Sequence, residues 1–476
     1  MKSILYVGAE AVPFASTGGL GDVMGSLPKA MKKLNPEADV RAVMPLYSKV
    51  KSDYGEQLTF LKSITVNLAW RQLYCGIFTL EKDGVIWYFL DNEYYFARGG
   101  LYGEYDDAER FAFFSVAALD LMAAVDFYPE VMHCNDWQSA LAVITLRRRY
   151  CAGENYAGVH AVYTIHNIDY QGVYSDAILG DVFGLSPADR EIVDFGGDIN
   201  LTKGAIVCAD YVTTVSPRYA EEIQDDYFAR GLAPITRMYN FKLDGVINGI
   251  DTDLYSPSKD KSLPAKFSYR NIAGKAVCKA QLCARLGLEA RDDVPVIAMI
   301  SRLVEHKGFD LVMRVADELL YSDDVQFVLL GTGDRQTENF FRGLAYRHPG
   351  KAACVIDYDR ELSKLIYAGA DMFLMPSKRE ACGLAQMIAS RYGTVPIVHE
   401  VGGLYDTIKP YGSDGNGFTF ASYNAHDMLY VIREAEAVFR AREEWNALVK
   451  KIMKIDFSWQ VPAKIYTELY DKIVAL

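Results

Sequence analysis

The sequence lacks the features that several classes of protein require. Its eight cysteines include no C-x-x-C pair, which argues against a zinc site and a disulfide framework. It has no run of lysine or arginine and a net charge of −12, which argues against binding to nucleic acid. No apolar stretch is long enough to cross a bilayer, and the apolar run at residues 1–7 is too short for a signal peptide. We therefore expect a cytoplasmic protein with reduced, mostly buried thiols.

The sequence does contain a repeated pattern of short apolar runs, each followed by a polar or glycine-rich loop. Half of the 476 residues are hydrophobic, which is enough for two domains with separate cores. Apolar strands separated by amphipathic helices are typical of parallel sheets covered on both faces. The predicted fold is therefore α/β, with two doubly wound, Rossmann-like domains. The predicted strands are 4–7, 40–44, 85–90, 131–133, 161–165, 211–215 and 245–247, then 294–300, 325–330, 354–356, 372–375 and 395–398.

A polar stretch at 256–264 separates the two series of strands. We expect an N-terminal domain at 1–255, a linker at 256–270 and a C-terminal domain at 271–455. Residues 456–476 are expected to include an amphipathic helix that packs back on the N-terminal domain. Ligands of doubly wound sheets bind beyond the carboxyl ends of the strands, so two facing edges would form a deep cleft between the domains.

A glycine pair follows the first predicted strand, in Ser16-Thr17-Gly18-Gly19-Leu20-Gly21-Asp22-Val23. Glycine allows a ligand to approach the backbone closely, and the N-terminus of a following helix attracts anions. The loop contains no lysine or arginine and lacks the G-x-G-x-x-G spacing of a dinucleotide site. It is either a ligand-binding loop or a tight turn, and a bound anion would need cations from the opposite domain.

Two further loops of the first half place polar residues at predicted strand ends. In His133-Cys134-Asn135-Asp136-Trp137, Asp136 is suited either to bind sugar hydroxyls or to cap a helix that begins near Trp137. Trp137 is suited to pack against the apolar face of a sugar. In Thr164-Ile165-His166-Asn167, His166 either faces a ligand or is a core histidine with satisfied hydrogen bonds.

The second half contains the cations that the first loop lacks. Arg302 and Lys307 flank a turn after a predicted strand, and together they suit a diphosphate, although surface charge is the alternative. Glu380 lies in the segment Ser377-Lys378-Arg379-Glu380-Ala381-Cys382-Gly383-Leu384. Its carboxylate is suited to contact a sugar, while the backbone N–H groups that follow are suited to contact a phosphate. The alternative is that Glu380 only complements a helix dipole.

One apparent metal motif has a simpler interpretation. Asp251-Thr252-Asp253 has the D-x-D pattern of metal-dependent sugar transferases. Two carboxylates are weak evidence for Mg²⁺, and after the preceding strand they are expected to cap a loop. We predict no metal site.

Taken together, these segments resemble those of the bacterial glycogen synthases and plant starch synthases over essentially the whole chain. Leu101-Tyr102-Gly103-Glu104-Tyr105, residues 246–251 and Phe457-Ser458-Trp459 are also similar to family segments. The resemblance implies two Rossmann-like domains of the GT-B type. It implies transfer of glucose from ADP-glucose to the non-reducing 4-OH of an α-1,4-glucan, with retention and with neither metal nor cofactor.

The resemblance also implies roles for particular residues. Asp136, His166 and Glu380 are expected to surround the donor glucose, while Arg302 and Lys307 neutralise the diphosphate; these five are the predicted catalytic residues. The predicted substrate-binding residues are Ser16, Thr17, Gly18, Gly19, Tyr102, Asn167, Asn248, Tyr358, Cys382, Gly383 and Leu384.

Several positions depart from the family pattern, mostly where the phosphates are expected. Ser16 replaces a lysine, and Asn135 replaces the second histidine of His-x-His-Asp-Trp. Asp357 and Arg360 replace the Gly and Glu of Gly-Tyr-Asp-Glu, and Ala381 and Ala385 replace the Pro and Thr of Glu-Pro-Cys-Gly-Leu-Thr. His399 and Val401 replace the Arg and Thr of Arg-x-Thr-Gly-Gly-Leu. Two alternatives follow from them. One is a related retaining transferase that uses UDP-glucose or a non-glucan acceptor, and the other is a catalytically weak glucan-binding homologue.

Overall fold

The computed structural model describes residues 1–475, and their contacts divide the chain into two units. Unit 1 comprises Met1–Gly249 with the described part of Trp459–Leu476, and unit 2 comprises Ile250–Ser458. Unit 2 thus includes residues 256–270, the segment expected to be a linker. That segment carries an apolar anchor, because the Phe267 side chain is buried.

Unit 1 is built on a nine-stranded sheet in the order β12-β11-β7-β6-β1-β2-β5-β4-β3, with a small sheet in the order β8-β10-β9. All neighbours from β12 to β5 are parallel, whereas β4 pairs antiparallel with both β5 and β3. The strands are β1 (Ser3–Val7), β2 (Asp39–Pro45), β3 (Thr59–Leu68), β4 (Arg71–Lys82), β5 (Val85–Asp91), β6 (Val131–Asn135), β7 (His160–Ile165), β8 (Val173–Ser175), β9 (Asp194–Phe195), β10 (Asp198–Asn200), β11 (Tyr211–Thr214) and β12 (Leu243–Gly245).

The helices of unit 1 cover the large sheet and include the C-terminal helix of the chain. They are α1 (Gly19–Leu34), α2 (Ser48–Tyr54), α3 (Glu93–Phe96), α4 (Asp107–Ala124), α5 (Trp137–Arg148), α6 (Arg190–Val193), α7 (Leu201–Cys208), α8 (Pro217–Glu222), α9 (Ala233–Met238) and α18 (Gln460–Val474). Helix α18 packs against α1, where Thr467 Oγ1 accepts a 3.0 Å hydrogen bond from the Asn35 amide. Helix α18 therefore belongs to the same unit as β1 and α1.

Unit 2 contains a fully parallel six-stranded sheet in the order β15-β14-β13-β16-β17-β18. The strands are β13 (Val296–Ile300), β14 (Gln326–Leu330), β15 (Ala352–Val355), β16 (Met372–Met375), β17 (Val395–His399) and β18 (Phe418–Phe420). The helices are α10 (Gly274–Leu286), α11 (Phe309–Ser322), α12 (Arg335–Arg347), α13 (Arg360–Gly369), α14 (Ala385–Arg391), α15 (Gly402–Thr407), α16 (Ala425–Arg440) and α17 (Arg442–Ile452).

The apolar runs are strands because they form parallel sheets buried on both faces. Strands β1, β6 and β16 are almost wholly buried, as a sheet with helices on both sides requires. The hairpin β3–β4 was not predicted, since β3 is largely exposed and alternates polar with apolar residues at the sheet edge. The strand expected at 245–247 lies at Leu243–Gly245 instead, and the last residue paired with β11 is Gly245.

Each sheet has one position where the strand order reverses, and the polar loops meet at these positions. In unit 1 this position lies between β1 and β6, and in unit 2 it lies between β13 and β16. Such a reversal opens a crevice at the carboxyl ends of the strands. Within residues 1–475, no helix has both the length and the apolar character to cross a membrane. All eight cysteines are free thiols, and five of them are buried.

Candidate active site

A buried carboxylate holds the glycine loop of unit 1 in place. Glu10 accepts hydrogen bonds from Thr17 through its backbone N–H at 2.6 Å and its hydroxyl at 2.8 Å, and from the Gly21 N–H at 3.1 Å. Burial raises the pKa of Glu10 above its ordinary value, against the opposing effect of these hydrogen bonds. The predicted residue Thr17 therefore anchors the loop, while Ser16 stays exposed and donates to the Gly18 carbonyl at 3.2 Å.

The glycine pair itself is not required by the folded protein. Gly18 has an extended backbone with φ of −172°, which any residue adopts. A Cβ atom built on Gly18 or Gly19 would meet nothing within 4 Å. Neither backbone conformation nor packing requires glycine at these two positions, and the open space around them would let a ligand approach the backbone closely.

Asp136 does not cap α5, although it stands at the N-cap position. Its side chain makes no capping hydrogen bond, and its backbone has an unusual positive φ of 57°. The carboxylate instead accepts a 2.7 Å hydrogen bond from the His166 N–H, which joins the loops after β6 and β7. Burial raises the pKa of Asp136 to about 7. A strained, desolvated carboxylate at a strand end is typical of a functional site.

The imidazole of His166 lies against the same two loops. Its Nε2 is 2.9 Å from Asn135 Oδ1, and burial lowers the pKa of the ring to about 3. His166 is therefore a neutral group at physiological pH. The next residue, Asn167, shapes the turn by accepting a 2.9 Å hydrogen bond from the Asp169 N–H.

Two more predicted residues of unit 1 have buried polar atoms. Burial raises the pKa of Tyr102 well above its ordinary value, and the Glu10 carboxylate adds to this shift. The Tyr102 ring packs on Phe111, with ring centroids 5.8 Å apart. Asn248 is 6% exposed, and its Oδ1 has no hydrogen-bond partner among residues 1–475. A buried amide oxygen without a hydrogen-bond partner destabilises the folded protein. This oxygen is therefore suited to accept a hydrogen bond from a ligand hydroxyl.

An open depression of about 530 Å³ lies beside the Asp136 and His166 loops. It combines aromatic rings with an ion pair, in which Arg230 Nε lies 2.7 Å from Asp169 Oδ1. Such a mixture of apolar faces and charged hydrogen-bonding groups suits a carbohydrate. The residues that line it are Trp137, Asp169, Tyr170, Gln171, Gly172, Val173, Tyr174 and Arg230.

In unit 2, Glu380 and Lys307 form a close ion pair. Lys307 Nζ lies 2.6 Å from Glu380 Oε2, and the Ser377 hydroxyl donates to the same oxygen at 2.9 Å. Burial alone would raise the pKa of Glu380, but the Lys307 ammonium and the Ser377 hydroxyl lower it overall. Glu380 is thus an ionised carboxylate that stands five residues before α14, paired with a lysine rather than placed in the helix.

Arg302 is an exposed cation on the loop that follows β13, five residues before Lys307. No hydrogen bond or ion pair of its guanidinium occurs among residues 1–475. The guanidinium and the partly buried ammonium of Lys307 form the positive part of the unit 2 site, which is what a diphosphate requires.

A second pair of glycines positions the Glu380 loop. Gly402 has a φ of 42°, and a Cβ atom there would lie 1.8 Å from the Glu380 carbonyl oxygen. A Cβ atom on Gly403 would lie 2.2 Å from the Cys382 carbonyl oxygen. These glycines are required by packing, because α15 approaches the backbone at 380–382 directly.

The other predicted residues of unit 2 lie on the same edge of its sheet or near it. Gly383 has a φ of 70°, and Leu384 is the N-cap of α14, so both shape the turn that follows the buried Cys382. Tyr358 follows β15 and is 86% exposed, which leaves its ring free to stack on a planar group.

The D-x-D segment is a local cap, as expected. Asp251 Oδ1 accepts hydrogen bonds from the N–H groups of Asp253 and Leu254, at 2.9 and 3.0 Å. The residues described contain no cluster of three or more His, Cys, Asp or Glu side chains that could hold a metal ion.

Sequence reasoning did not assign three residues that organise these sites: Glu10, Asn135 and Ser377. Glu10 could have been identified from the sequence, because it is a lone acidic residue in the apolar segment after β1. In the sequence, Asn135 stands out only as a departure from a family motif, and Ser377 only as part of a loop. Their roles depend on partners that are distant in sequence.

Comparisons with known proteins agree with this arrangement. The starch synthase catalytic domain model matches residues 3–238, and the glycosyl transferases group 1 model matches residues 285–451. The glycogen synthase of Anoxybacillus flavithermus is 44% identical, over 99% of this chain and 98% of its own length. The catalytic domain of starch synthase IV from Arabidopsis thaliana, solved bound to ADP and acarbose, has a TM-score of 0.92 at 33% identity and covers 100% of both chains. The sucrose-phosphate synthase of Thermosynechococcus elongatus has a TM-score of 0.63 at 16% identity with 100% coverage of both chains, which shows the fold alone.

Two α/β units with mainly parallel sheets, matched by these models and structures, define a glycosyltransferase of the GT-B class. The similarity at high identity over the full length is more specific than the class. The chain belongs to the family of glycogen and starch synthases, hexosyltransferases that extend glucans. The resemblance inferred from the sequence is confirmed.

Proposed function

We propose that this protein transfers glucose from ADP-glucose to the non-reducing-end 4-OH of an α-1,4-glucan, with retention and without a metal ion. The observation that carries the proposal is the ion pair between Lys307 and Glu380, whose Oε2 is held by Lys307 and Ser377. It supplies an ionised carboxylate for sugar hydroxyls and a cation for a phosphate at one place. The starch synthase IV structure contains ADP, which favours an adenine nucleotide for the donor.

The proposal assigns these residues to particular parts of the donor. Arg302 and Lys307 bind the diphosphate, where charge-assisted hydrogen bonds are strongest. Backbone N–H groups at Gly383 and Leu384 add donors, and the exposed Tyr358 ring stacks on the base. Asp136, His166 and Glu380 bind the hydroxyl groups of the glucose.

The reaction breaks the bond between glucose C1 and the diphosphate oxygen, and the electron pair leaves with the diphosphate. Arg302 and Lys307 stabilise the negative charge that develops on this leaving group. The carbonyl of His166 and the nearby acceptors stabilise the positive charge on the ring. The acceptor 4-OH attacks from the face that the diphosphate leaves, and a phosphate oxygen takes its proton.

The acceptor glucan is proposed to bind in the depression beside these loops. Trp137 and the half-exposed Tyr170 offer apolar ring faces, and the ion pair of Asp169 with Arg230 offers hydrogen bonds to hydroxyl groups. Sugar rings have an apolar face and a polar rim, which is the combination that this surface complements.

The test is incorporation of labelled glucose into glycogen, with ADP-glucose and UDP-glucose compared at equal concentration. We expect transfer from ADP-glucose, and we expect Glu380→Gln to lose about a hundredfold or more of it, since a charge-assisted contact in the transition state is lost. A preference for UDP-glucose would overturn the donor assignment. Glycogen binding in a pull-down without any transfer would identify a glucan-binding homologue and overturn the proposal.

A further inference from the structure

Asn135 lies at the end of β6, directly before Asp136, and its side chain is 1% exposed. Its amide nitrogen is 3.2 Å from the Val7 carbonyl oxygen and 3.1 Å from the His133 carbonyl oxygen. A carbonyl oxygen only accepts hydrogen bonds, so the NH₂ group must occupy this end of the amide. The orientation of the amide is therefore set by the backbone, and Oδ1 must point to His166.

The direction of the next hydrogen bond follows from this orientation. Asn135 Oδ1 lies 2.9 Å from His166 Nε2, and an amide oxygen cannot donate. Nε2 must therefore carry the proton. Since burial lowers the pKa of the ring to about 3, His166 is neutral, and its Nδ1 has a free lone pair. Among residues 1–475, no described hydrogen bond involves this Nδ1.

The buried His133, which lies in β6 with Asn135, shows that a fixed tautomer is not a general property of the histidines in this unit. His133 contacts the Tyr470 hydroxyl through Nδ1 and the Thr164 hydroxyl through Nε2, each at 2.5 Å. Hydroxyl groups both donate and accept, so these partners do not select a tautomer. Of the two rings, His166 is the one whose partner is a fixed acceptor.

We propose that Asn135 is a positioning residue that holds His166 in the Nε2–H tautomer, so that Nδ1 accepts a hydrogen bond from a hydroxyl of the transferred glucose. This inference rests on the proposed function for its substrate, but the tautomer itself is a property of the free protein. In the family motif the position is a second histidine. An imidazole can donate or accept, whereas the oriented amide of Asn135 allows only one direction.

The experiment compares Asn135→Leu with Asn135→Asp. Both variants lose the amide N–H groups that bind Val7 and His133, so they share that structural damage. Only Asn135→Asp keeps an oxygen that accepts from Nε2. A difference in the His166 tautomer between the two variants therefore reports on this hydrogen bond, whereas a difference in stability also reflects the charge of the new carboxylate. Asn92→Leu is the matched control, because Asn92 is a buried amide in the same unit that contacts Tyr74 and Tyr95 instead.

The first measurement is the tautomer of His166, read from long-range proton–nitrogen correlations of the full chain with isotope-labelled histidines. The chain has seven histidines, and His166→Gln assigns the signal. At a pH above the titration of the ring, we expect the Nε2–H form in the wild type, in Asn135→Asp and in Asn92→Leu. We expect Asn135→Leu to lose that form. Retention of the Nε2–H form in Asn135→Leu would overturn the inference.

The second measurement is transfer to glycogen under the same conditions. We expect kcat of Asn135→Leu to fall about tenfold with little change in KM for the donor, because one hydrogen bond to the glucose is lost. Asn135→Asp should recover most of this loss. A changed tautomer with unchanged kcat would overturn the role of Nδ1. Failure of the wild type to transfer glucose would overturn the proposed function, and the tautomer result would still decide whether Asn135 positions His166.

Discussion

Two carboxylates occupy equivalent places in the two units, yet their protonation differs. Asp136 follows β6 and Glu380 follows β16, each beside the position where its sheet reverses strand order. Burial raises the pKa of Asp136 to about 7, whereas the pKa of Glu380 is lowered although burial opposes this. The difference is the partner: Asp136 is bonded to a backbone N–H, and Glu380 to an ammonium group at 2.6 Å.

The two sites therefore differ in their electrostatic character. The unit 1 site contains a neutral histidine and carboxyl groups with raised pKa values, which suits the recognition of uncharged hydroxyl groups. The unit 2 site contains the exposed Arg302 and the ion pair of Lys307, which suits an anion. The cations that the glycine loop lacks are thus present in unit 2.

Removing the cation of unit 2 should have the largest effect. We expect Lys307→Met to reduce kcat/KM for glucose transfer by about a hundredfold to a thousandfold, because charge on the leaving group loses its partner. The pKa of Glu380 should rise in this variant, since burial is then unopposed. Steady-state transfer assays across pH measure both effects.

The matched control is Lys279→Met, which removes a similar ion pair far from the reaction. Lys279 Nζ lies 2.8 Å from Asp371 Oδ2, and both side chains are nearly buried. This variant should lose stability but keep kcat at temperatures where it remains folded. A kcat/KM of Lys307→Met within threefold of the wild-type value would contradict the role of this cation in the unit 2 site.

The two glycine pairs should respond in opposite ways to alanine. Gly402→Ala places a Cβ atom 1.8 Å from a carbonyl oxygen at a positive φ, so we expect a loss of stability of about 3 kcal/mol or more. Gly18→Ala meets open space, so its melting temperature should not fall. Its transfer activity should nevertheless drop about tenfold, because the methyl group blocks a ligand. Thermal melts and transfer assays distinguish the two, and full activity in Gly18→Ala would remove the argument for a ligand at this loop.

The neutral character of the unit 1 site can be tested through the pH dependence of stability. The native pKa of Asp136 is about 7 and the ordinary value is 3.8, so the native state binds more protons between them. Stability therefore falls as pH rises through this window. Asp136→Asn removes that loss, and its melting temperature should exceed that of the wild type by a few degrees above pH 7 but not near pH 4, while transfer activity falls.

Asp189→Asn provides a control of opposite sign, because bonds to Ser186 and Arg148 lower the pKa of Asp189 despite burial. Its carboxylate stabilises the protein at neutral pH and loses this contribution on acidification. We therefore expect Asp189→Asn to be less stable than the wild type at neutral pH. A pH-independent difference for Asp136→Asn would contradict the raised pKa of Asp136.

The smallest expected effect concerns the lysine that the glycine loop lacks. Ser16 is exposed, so Ser16→Lys should fold normally and add a cation to the glycine loop. We expect KM for ADP-glucose to fall by about threefold to tenfold, the worth of one charge-assisted contact at a solvated site. Ser16→Met, of similar length without charge, is the control. An equal gain in both variants would show that side-chain length rather than charge matters.

Much of the fold could be predicted because a strand that is buried on both faces has a continuous run of apolar residues in the sequence. The runs at 4–7 and 372–375 are wholly apolar, and each lies within a strand of the structure. Strand β3 has no such apolar run, because it is an edge strand that is largely exposed and contains both polar and apolar residues. Candidate site residues were found for the same reason, as polar groups that interrupt the pattern where a strand ends.

The sequence by itself determined the two series of parallel strands, the polar residues at their carboxyl ends and the family to which the chain belongs. Only the tertiary structure decided which of these residues are charged, which way their hydrogen bonds run and which glycines are needed for packing. Those properties depend on burial and on partners far apart in the chain, such as Lys307 with Glu380 and Asn135 with His166. A pKa depends on burial and on nearby charges, and a local pattern of residue types indicates neither of them.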